Sequence, residues 1–310
     1  MKSERGVAAV TAVLIVAVAA SAAAFMLAQQ SALLNQATLV ASRAQADLYA
    51  QAGLDWARGV VAQDARSSGS VDSLDEPWAQ PIGALPVERA LVSGQLVDEQ
   101  GKFNLNNLVR DSSGGVASPE DVEILKRLLE NLGYSPDLAW AVLDWIDFDG
   151  DLSDPSGAEN AYYLGLPRPY RAANRLMVQV EELYRVRGFT PELVAKLKPH
   201  VTALPKRTSV NINTTTEEVL WAILPELAHD EVRSHIAARR SKPFRSRKDI
   251  ADRIGSKAVP GVITRDLDVK TDFFTAQVRV AQDDIQLATE ALIQRGRNAA
   301  TAIVWRRPLY

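Results

Sequence analysis

Six carboxylates lie close together in the stretch DWIDFDGDLSDPSGAENAYY, residues 144–163. They are Asp144, Asp147, Asp149, Asp151, Asp154 and Glu159. No Lys or Arg occurs from Leu128 to Pro167, so no cation nearby in the sequence neutralises them. Alternating Asp residues turn several oxygens toward one centre, and Gly150 and Gly157 allow backbone carbonyls to join. The pattern favours a hard cation with oxygen ligands, above all Ca2+, as a structural staple of the loop.

Other interpretations of this cluster remain open. The spacing is not that of an EF-hand, because Leu152 stands at the sixth position, where glycine is needed, and Glu159 at the thirteenth instead of the twelfth. An acidic solvated loop or a set of helix caps would need no metal. The chain has no Cys, and no base or nucleophile is recognisable beside the carboxylates, so the sequence predicts no catalytic residue and no enzyme.

The N-terminal segment is long and apolar enough to cross a membrane. No charged residue or His occurs from Gly6 to Ser42, and the apolar run 7–28 can span a hydrocarbon core of about 30 Å. Lys2 and Arg5 precede this run, so the positive-inside rule predicts a cytoplasmic N-terminus and a body on the far side. The alternative is a cleaved secretory signal, with small-residue cleavage sites at 20–22 or 22–24.

One helix is predicted to continue from the membrane into the aqueous phase. Residues 29–63 contain no Pro and only two glycines, Gly53 and Gly59, whereas a signal peptide normally ends at a turn. The next stretch, ARSSGSVDSLDEPWAQPIG at 65–83, is rich in Ser, Gly and Pro and predicts a surface loop that ends the helix.

Strand patterns occur on both sides of a central block. Residues 90–98 predict a short strand with a turn near Gln100 and Gly101. Three period-two runs follow between 272 and 306, separated by turn signals at 283–284 and 295–298. These four strands could form one antiparallel sheet against the long helix.

The central block, residues 104–265, is predicted to be helical. Several of its segments open with Ser or Thr followed by Pro or Glu, and several close at Gly or Pro. The segments are SPEDVEILKRLLENLG, SPDLAWAVLDWID, MVQVEELYRVRG, TPELVAKLKPHV, TTEEVLWAILPEL and HDEVRSHIAARRS. FNLNNL at 103–108 and VNINTT at 210–215 look like two copies of one start signal, each leading into a helix pair.

The second copy also resembles a helix-hairpin-helix module, which binds DNA backbones through glycine amides beside basic residues. The basic residues available are Arg233, Arg239, Arg240, Lys242, Arg245, Arg247 and Lys248. The hairpin at 224–228 has no glycine and carries Glu226 where a phosphate would approach, and the net charge is −3. A solvated basic face or a protein contact surface is therefore favoured over nucleic acid.

Gly6, directly before the apolar run, resembles the cleavage site of type IV prepilin-like proteins, which include the pseudopilins of type II secretion. The resemblance implies that a prepilin peptidase cuts after Gly6 and that the new terminus, Val7, is methylated. Thr11 would then be the fifth mature residue, where most of that family carries Glu. A carboxylate in hydrocarbon costs at least about 2.5 kcal/mol and needs a partner, whereas Thr11 does not.

The whole chain resembles the minor pseudopilin K family of type II secretion, in which this Glu is characteristically absent. The motifs are the Gly6 site, the stem with Thr11, DEQGKFNLNNL, the DWIDFD to GAE segment, the two N-x-N starts and the terminal strands. The resemblance implies Asp147, Asp149 and Glu159 as calcium ligands, together with Asp144, Asp151 and Asp154. It implies an α+β fold in which a pilin-like long N-terminal helix packs on a small antiparallel sheet, with a large all-helical inserted domain.

The expected organisation is a leader at 1–6, a membrane segment at 7–28, a stem and first part of the pseudopilin domain at 29–103, an insertion similar to SAM or helix-hairpin-helix domains at 104–265, and final strands at 266–310.

The family implies an inner-membrane protein with a periplasmic body that caps the pseudopilus tip and helps to start its assembly. Its implied partners are minor pseudopilins I and J, the pseudopilus, prepilin peptidase, secreted proteins and the outer-membrane secretin. A minor pilin of a type IV pilus and a membrane-tethered DNA-binding protein are the alternatives.

Overall fold

The first helix runs without a break from the apolar segment into the aqueous stem, as predicted. The computed structural model describes residues 3–67, 71–110, 115–255, 258 and 261–309, so the expected leader residues Met1 and Lys2 lie outside it. Helix α1 spans Ser3–Ser67. Its N-terminal part is long and apolar enough to cross a membrane, and its most apolar stretch is not covered by any described part of the protein.

The remaining elements alternate between short strands and helices. The strands are β1 (Ile82–Val87), β2 (Ala90–Asp98), β3 (Phe103–Asn104), β4 (Val201–Thr202), β5 (Val210–Asn211), β6 (Leu267–Asp268), β7 (Phe273–Gln282), β8 (Ile285–Arg295) and β9 (Thr301–Pro308). The helices after α1 are α2 (Pro119–Asn131), α3 (Leu138–Ile146), α4 (Asn160–Leu164), α5 (Pro191–Leu197), α6 (Glu217–Ile223), α7 (His229–Ala238), α8 (Arg247–Ile254) and α9 (Val262–Asp266). Short 3-10 helices lie at Pro77–Ala79, Leu105–Leu108, Val180–Arg185 and Arg297–Ala299.

The main sheet has the order β1-β2-β7-β8-β9, and all its neighbours are antiparallel. Strand β2 has the predicted bounds, and the three C-terminal strands are confirmed with their turn at 283–284. Strand β1 was not expected. The stretch 65–83, predicted to be a surface loop, ends in this strand and buries Trp78 to 3% exposure. Gly83 and Pro86 interrupt the apolar alternation by which a strand is recognised in the sequence. Proline is tolerated in β1 because β1 is an edge strand.

Helix α1 covers one face of this sheet with small side chains. Ala46, Ala50 and Ala57 are buried there together with Leu54, against β7 residues that include Val278. A Cβ added at Gly53 would lie 2.8 Å from Val278 Cγ1, so the helix and the sheet approach closely at this point. Gly53 and the alanines on this face of α1 permit that approach.

The insertion lies between β2 and β7, which are neighbours in the sheet, so its two ends meet. It has its own core, in which Leu125, Leu128, Leu143, Tyr163 and Leu220 are fully buried. It is not wholly helical as expected, because β3 pairs with β4 and β5 pairs with β6, both in parallel. These pairs also join residues 103 and 267–268, which lie next to the predicted limits 104 and 265, to strands within the insertion. Two-residue strands are too short to show a period-two pattern.

The two N-x-N motifs are structural copies. Asn106 bonds the backbone of Met177 in both directions, with Nδ2 donating to O at 2.9 Å and Oδ1 accepting from N at 2.8 Å. Asn213 makes the same pair with Phe244, at 2.9 and 2.8 Å. The predicted helix in MVQVEELYRVRG is instead a 3-10 helix. Asn106 holds the chain at Met177, the first residue of that segment, and the 3-10 helix begins three residues later, at Val180.

Candidate metal centre

A loop between two helices carries the six predicted carboxylates. Helix α3 holds Asp144 in its last turn and ends with Asp147 at its C-cap. The chain returns at Glu159, which is the N-cap of α4 and accepts a hydrogen bond from Asn160 N at 3.2 Å. Trp145 of α3 packs edge-on against Tyr163 of α4, with ring centroids 5.3 Å apart, and so fixes the two ends of the loop.

Three of the six carboxylates converge. Asp147, Asp149 and Glu159 each offer an oxygen, and these oxygens all lie within 4.8 Å of one another. Asp147 is only 6% exposed and Glu159 only 3% exposed. No ion pair between these carboxylates and a Lys or Arg is found in the described part of the chain. The arrangement therefore concentrates negative charge in a largely buried site.

Four buried oxygens around this centre have no hydrogen-bond partner among the described residues. They are Asp144 Oδ2, Asp147 Oδ1, Glu159 Oε1 and Asn174 Oδ1. A buried acceptor without a partner costs about 1–3 kcal/mol, and more when it is charged. Oxygen-only ligands with several carboxylates are what Ca2+ prefers. The residues present therefore fit a calcium ion.

The remaining predicted residues play different parts. Asp144 is fully buried, and its Oδ1 accepts from Ser153 N at 3.1 Å, which ties the loop to α3. A Cβ at Gly157 would lie 2.0 Å from Asp144 Oδ2, so only glycine fits beside this carboxylate. Asp151 is exposed, and Asp154 uses its Oδ1 to accept from Ser156 N at 2.8 Å in a local turn. The converging oxygens come from Asp147, Asp149 and Glu159, so Asp144, Asp151 and Asp154 lie outside this set, and their role as ligands stays a prediction.

Asn174 is a component of the site that the sequence did not reveal. Its backbone has a positive φ of 41°, its N donates to Trp145 O at 3.0 Å, and its Nδ2 donates to Asp149 O. These bonds hold Asn174 against the acidic loop, and its buried Oδ1 has no hydrogen-bond partner among the described residues. Asn174 follows Glu159 at a distance in the chain that no ligand-spacing pattern covers, so no signal in the sequence pointed to it.

Burial and mutual repulsion shift the protonation of the site. Burial, followed by the charges of Asp149, Asp144 and Glu159, raises the pKa of Asp147 to about 8. Burial, followed by the charges of Asp144 and Asp149, raises the pKa of Glu159 to about 7. A bound divalent cation would reverse both effects by stabilising the charged forms.

In a second group of acids, two carboxylates share one arginine of the protein. Asp64, Asp72 and Glu76 also lie within 4.8 Å of one another. The guanidinium of Arg295 pairs with Asp64 Oδ2 at 3.1 Å and with Asp72. Arg295 of β8 therefore forms ion pairs with Asp64 of α1 and with Asp72, whereas Glu76 accepts hydrogen bonds from Ser73 N at 2.8 Å and Trp78 Nε1 at 2.9 Å.

The processing residues of the leader lie in regular helix. Gly6 and Val7 belong to α1, and the hydroxyl of Thr11 donates to Val7 O at 3.0 Å and to Ala8 O at 2.9 Å. Thr11 therefore satisfies its polar group within its own helix, whereas a Glu at this position would need another partner. Cleavage after Gly6 and methylation of Val7 stay predictions.

Comparison with known proteins identifies the family. Profiles of the family described as "Type II secretion system (T2SS), protein K" match residues 101–206 and 210–270. Type II secretion system protein K of Aeromonas hydrophila is 32% identical over 271 residues, covering 82% of each chain. The protein of the same name from Pseudomonas aeruginosa is 30% identical over 319 residues, covering 98% of this chain and 93% of its own.

A solved structure has the same fold. It is the GspK-GspI-GspJ complex of the type 2 secretion system from enterotoxigenic Escherichia coli, and the matching chain has a TM-score of 0.76 at 24% identity, covering 86% of this chain and 96% of its own. The likeness confirms the α+β fold with a long N-terminal helix, an antiparallel sheet and helical regions. This family consists of secretion-system components and is not a known enzyme family. The chain belongs to the type II secretion system protein K family.

Proposed function

We propose that this protein is a minor pseudopilin that caps the tip of the type II secretion pseudopilus and helps to start its assembly, for export of folded proteins across the outer membrane. One observation carries the proposal: an unbroken helix joins an apolar, uncovered membrane segment to a sheet that bears a bulky insertion. Membership of the protein K family favours type II secretion over a type IV pilus.

The proposed location is the inner membrane, with a cytoplasmic N-terminus and a periplasmic body. The apolar run 7–28 is long enough to span the hydrocarbon core, and the cations expected at its cytoplasmic end precede it. Prepilin peptidase would cut after Gly6 and methylate Val7. The anchor would then remain attached throughout the life of the protein.

The proposed partners are minor pseudopilins I and J. Support comes from the complex of similar fold, whose name joins protein K with these two chains. The contact would run along the N-terminal helix, where Ala17, Ala20 and Ala24 lie on one face and allow close helix packing in the bilayer. Thr11 would leave this subunit without the charged group that pairs with a subunit above it. That property suits the end of a filament.

The insertion would restrict the subunit to the tip, because a domain of this size cannot be stacked within a filament. From there it would contact secreted proteins or the outer-membrane secretin. Calcium at the candidate metal centre would act as a structural staple that keeps the acidic loop folded. Its chemistry there is the neutralisation of Asp147, Asp149 and Glu159.

DNA binding has less support in the contacts of the basic residues. Arg239 is buried and donates to Ile212 O at 2.7 Å and Thr215 O at 2.6 Å, so it stabilises the second copy from inside. Arg247 pairs with Asp268, and Lys248 pairs with Asp252. Such paired cations are less available to a phosphate backbone.

The test is co-purification of the full-length chain with I and J from inner membranes. We expect all three to purify together and the mature N-terminus to be methylated Val7 by mass spectrometry. Ala17→Trp should weaken the complex, whereas Ala299→Trp, on a distant connection of the sheet, should not. Failure of the partners to co-purify, or a mature start near residue 24, would refute the proposal.

A further inference from the structure

A cleft lies between the main sheet and the insertion, on the sheet face opposite to α1. Its volume is about 510 Å³, within the range of about 300–1,000 Å³ that is usual for binding clefts. We call it the sheet–insertion cleft. Leu292 lies between Ala291 and Ile293, which pack on the α1 side, so its side chain belongs to the opposite face. The apolar lining comes from both sides, namely Val97, Leu292 and Trp305 of the sheet and Val178 and Leu204 of the insertion.

Six charged residues line this cleft in the described part of the chain, and they form three ion pairs. The pairs are Glu99–Lys102, Glu290–Arg307 and Glu181–Lys198, at 3.1, 2.6 and 2.5 Å. In the same order, the carboxylate side chains are 10%, 9% and 28% exposed, and the cationic side chains are 22%, 32% and 54% exposed. The cation is the more exposed partner in every pair. The charges balance, but the charge that an occupant meets first is positive.

Strand β4 lines the cleft and has one unpaired edge. Val201, Thr202 and Ala203 all belong to the lining. Strand β3 pairs with one edge of β4, and no described strand pairs with the other. Phe103 N donates to His200 O at 2.8 Å, so β3 uses the backbone groups of residues 200 and 202. The backbone groups of Val201 and Ala203 are therefore directed to the unpaired edge.

These features together narrow the chemistry of an occupant. A free strand edge binds an extended peptide through main-chain hydrogen bonds, and neighbouring pockets select its alternate side chains. Alternate side chains of an extended chain point to opposite sides. Apolar side chains on one side would contact Trp305 and Leu292, and carboxylates on the other would meet Lys102 and Lys198. An extended peptide that is apolar and acidic in alternation uses all three features.

This chain is a poor source of such a peptide. Its densest acidic stretch, residues 144–159, is held between α3 and α4 by the packing of Trp145 against Tyr163. That stretch is thus not offered in extended form to its own cleft or to the cleft of a second copy. The occupant is therefore sought in a different protein.

We propose that the sheet–insertion cleft binds an extended acidic segment of another protein, which pairs with the unpaired edge of β4. The inference goes beyond the proposed function and does not depend on it. Because residues of the sheet and of the insertion both line the cleft, the bound segment would contact both parts of the body.

The probe is a fluorescein-labelled synthetic heptapeptide in which Glu alternates with Leu, and its control has Lys in place of each Glu. Fluorescence anisotropy follows their binding to the full-length chain in non-ionic detergent. Lys198→Glu reverses the most exposed charge of the cleft. Lys248→Glu is the matched control, because Lys248 is also exposed and paired with an acid but lies outside the cleft. Amide hydrogen exchange of fragments that cover residues 199–204 reports on the edge of β4.

We expect the acidic peptide to bind at least about tenfold more tightly than the basic peptide. Lys198→Glu should weaken its binding by about tenfold, and Lys248→Glu should change it by less than about twofold. The bound peptide should slow exchange at Val201 and Ala203 by about tenfold or more, because both amides gain a partner.

Three results would overturn the inference. The first is no binding of the acidic peptide, or equal binding of both peptides. The second is an equal effect of Lys198→Glu and Lys248→Glu. The third is binding that leaves exchange at Val201 and Ala203 unchanged, since the peptide would then lie elsewhere. Self-association of the chain that is lost in Lys198→Glu would assign the cleft to a second copy and would also contradict the proposal.

Discussion

The side-chain amide of Asn211 donates to Asp98 Oδ2 at 2.9 Å, across 113 residues of chain. This contact joins the end of β2 in the main sheet to β5 in the insertion. Asp98 also accepts from the hydroxyls of Thr214 and Thr271, each at 2.6 Å, and from the backbone N of Gln100 at 2.7 Å. A fully buried carboxylate thus has its charge distributed among donors from three segments. Burial nevertheless raises its pKa.

Removal of the Asp98 carboxylate should destabilise the junction between sheet and insertion. Asp98→Ala leaves several buried donors without an acceptor, and we expect a loss of about 2–4 kcal/mol in the free energy of unfolding. Asp252→Ala is the control, because Asp252 is exposed and pairs with Lys248 in the preceding turn of its helix. Urea denaturation of the detergent-solubilised chain measures both. A loss at Asp98 no larger than at Asp252 would contradict the role given to this residue.

Calcium should stabilise the protein through the three converging carboxylates. At a concentration one hundred times the dissociation constant, a bound ion adds about 2.7 kcal/mol, or a rise of about 5 °C or more in melting temperature. Asp147→Asn with Glu159→Gln should abolish this rise. Asp151→Asn, in the same loop but outside the convergent set, should retain it. Equal melting temperatures of the unchanged chain in calcium and in chelator would exclude the site.

The calcium-free protein should lose stability as the pH rises from 6 to 8. The folded pKa values of Asp147 and Glu159, about 8 and about 7, lie above their unfolded values, so the folded state binds more protons in this window. Stability therefore falls with rising pH, by an amount on the order of 2 kcal/mol. Saturating calcium should remove most of this dependence, because it favours the ionised carboxylates. Denaturation curves at the two pH values, with calcium or chelator, test the sign. A calcium-free protein that is more stable at pH 8 would contradict it.

Substitution of Arg239 or of its neighbour Arg240 can distinguish a structural role of an arginine from a role of surface charge in binding DNA. Arg239 is buried against backbone carbonyls, whereas Arg240 is exposed. Arg239→Met should lower the free energy of unfolding by about 2–3 kcal/mol, because two buried acceptors lose their donor. Arg240→Met should change it by less than about 0.5 kcal/mol. Neither variant nor the unchanged chain should shift DNA in a salt-dependent manner. A shift that weakens with salt and with Arg240→Met would support the DNA-binding alternative.

The sequence revealed elements with strong local patterns. In strands β7 and β8, apolar side chains occupy every second position because one face of the sheet packs on α1. This period-two pattern can be recognised in the sequence. Asp147, Asp149 and Glu159, whose oxygens converge, could be singled out because alternating carboxylates without a nearby cation are unusual; their binding of a metal stays a prediction. Asn174 was missed, since it reaches the site by a backbone turn at positive φ that its neighbours in the sequence do not predict.

Other elements depend on contacts that are distant in sequence. Strand β1 contains Gly83 and Pro86 and forms only because β2 offers it an edge. The parallel pairs β3–β4 and β5–β6 join segments that lie far apart along the chain. No short window contains both partners of such a pair. The side of α1 that meets the sheet was likewise hidden, because alanines cover the sheet while Leu48 and Trp56 remain exposed.

Substitution by alanine should change the stability of the protein in opposite directions at the two glycines of the stem. At Gly53 an added Cβ would lie 2.8 Å from Val278, so Gly53→Ala must push α1 away from β7, at a cost of about 1–3 kcal/mol. At Gly59 an added Cβ meets nothing within 4 Å, so Gly59→Ala should stabilise the helix by about 0.5–1 kcal/mol. Thermal denaturation of the two variants compares the same substitution on the same helix. Stabilisation by both would mean that α1 is not held against the sheet at Gly53, and with it the close contact between stem and body would be lost.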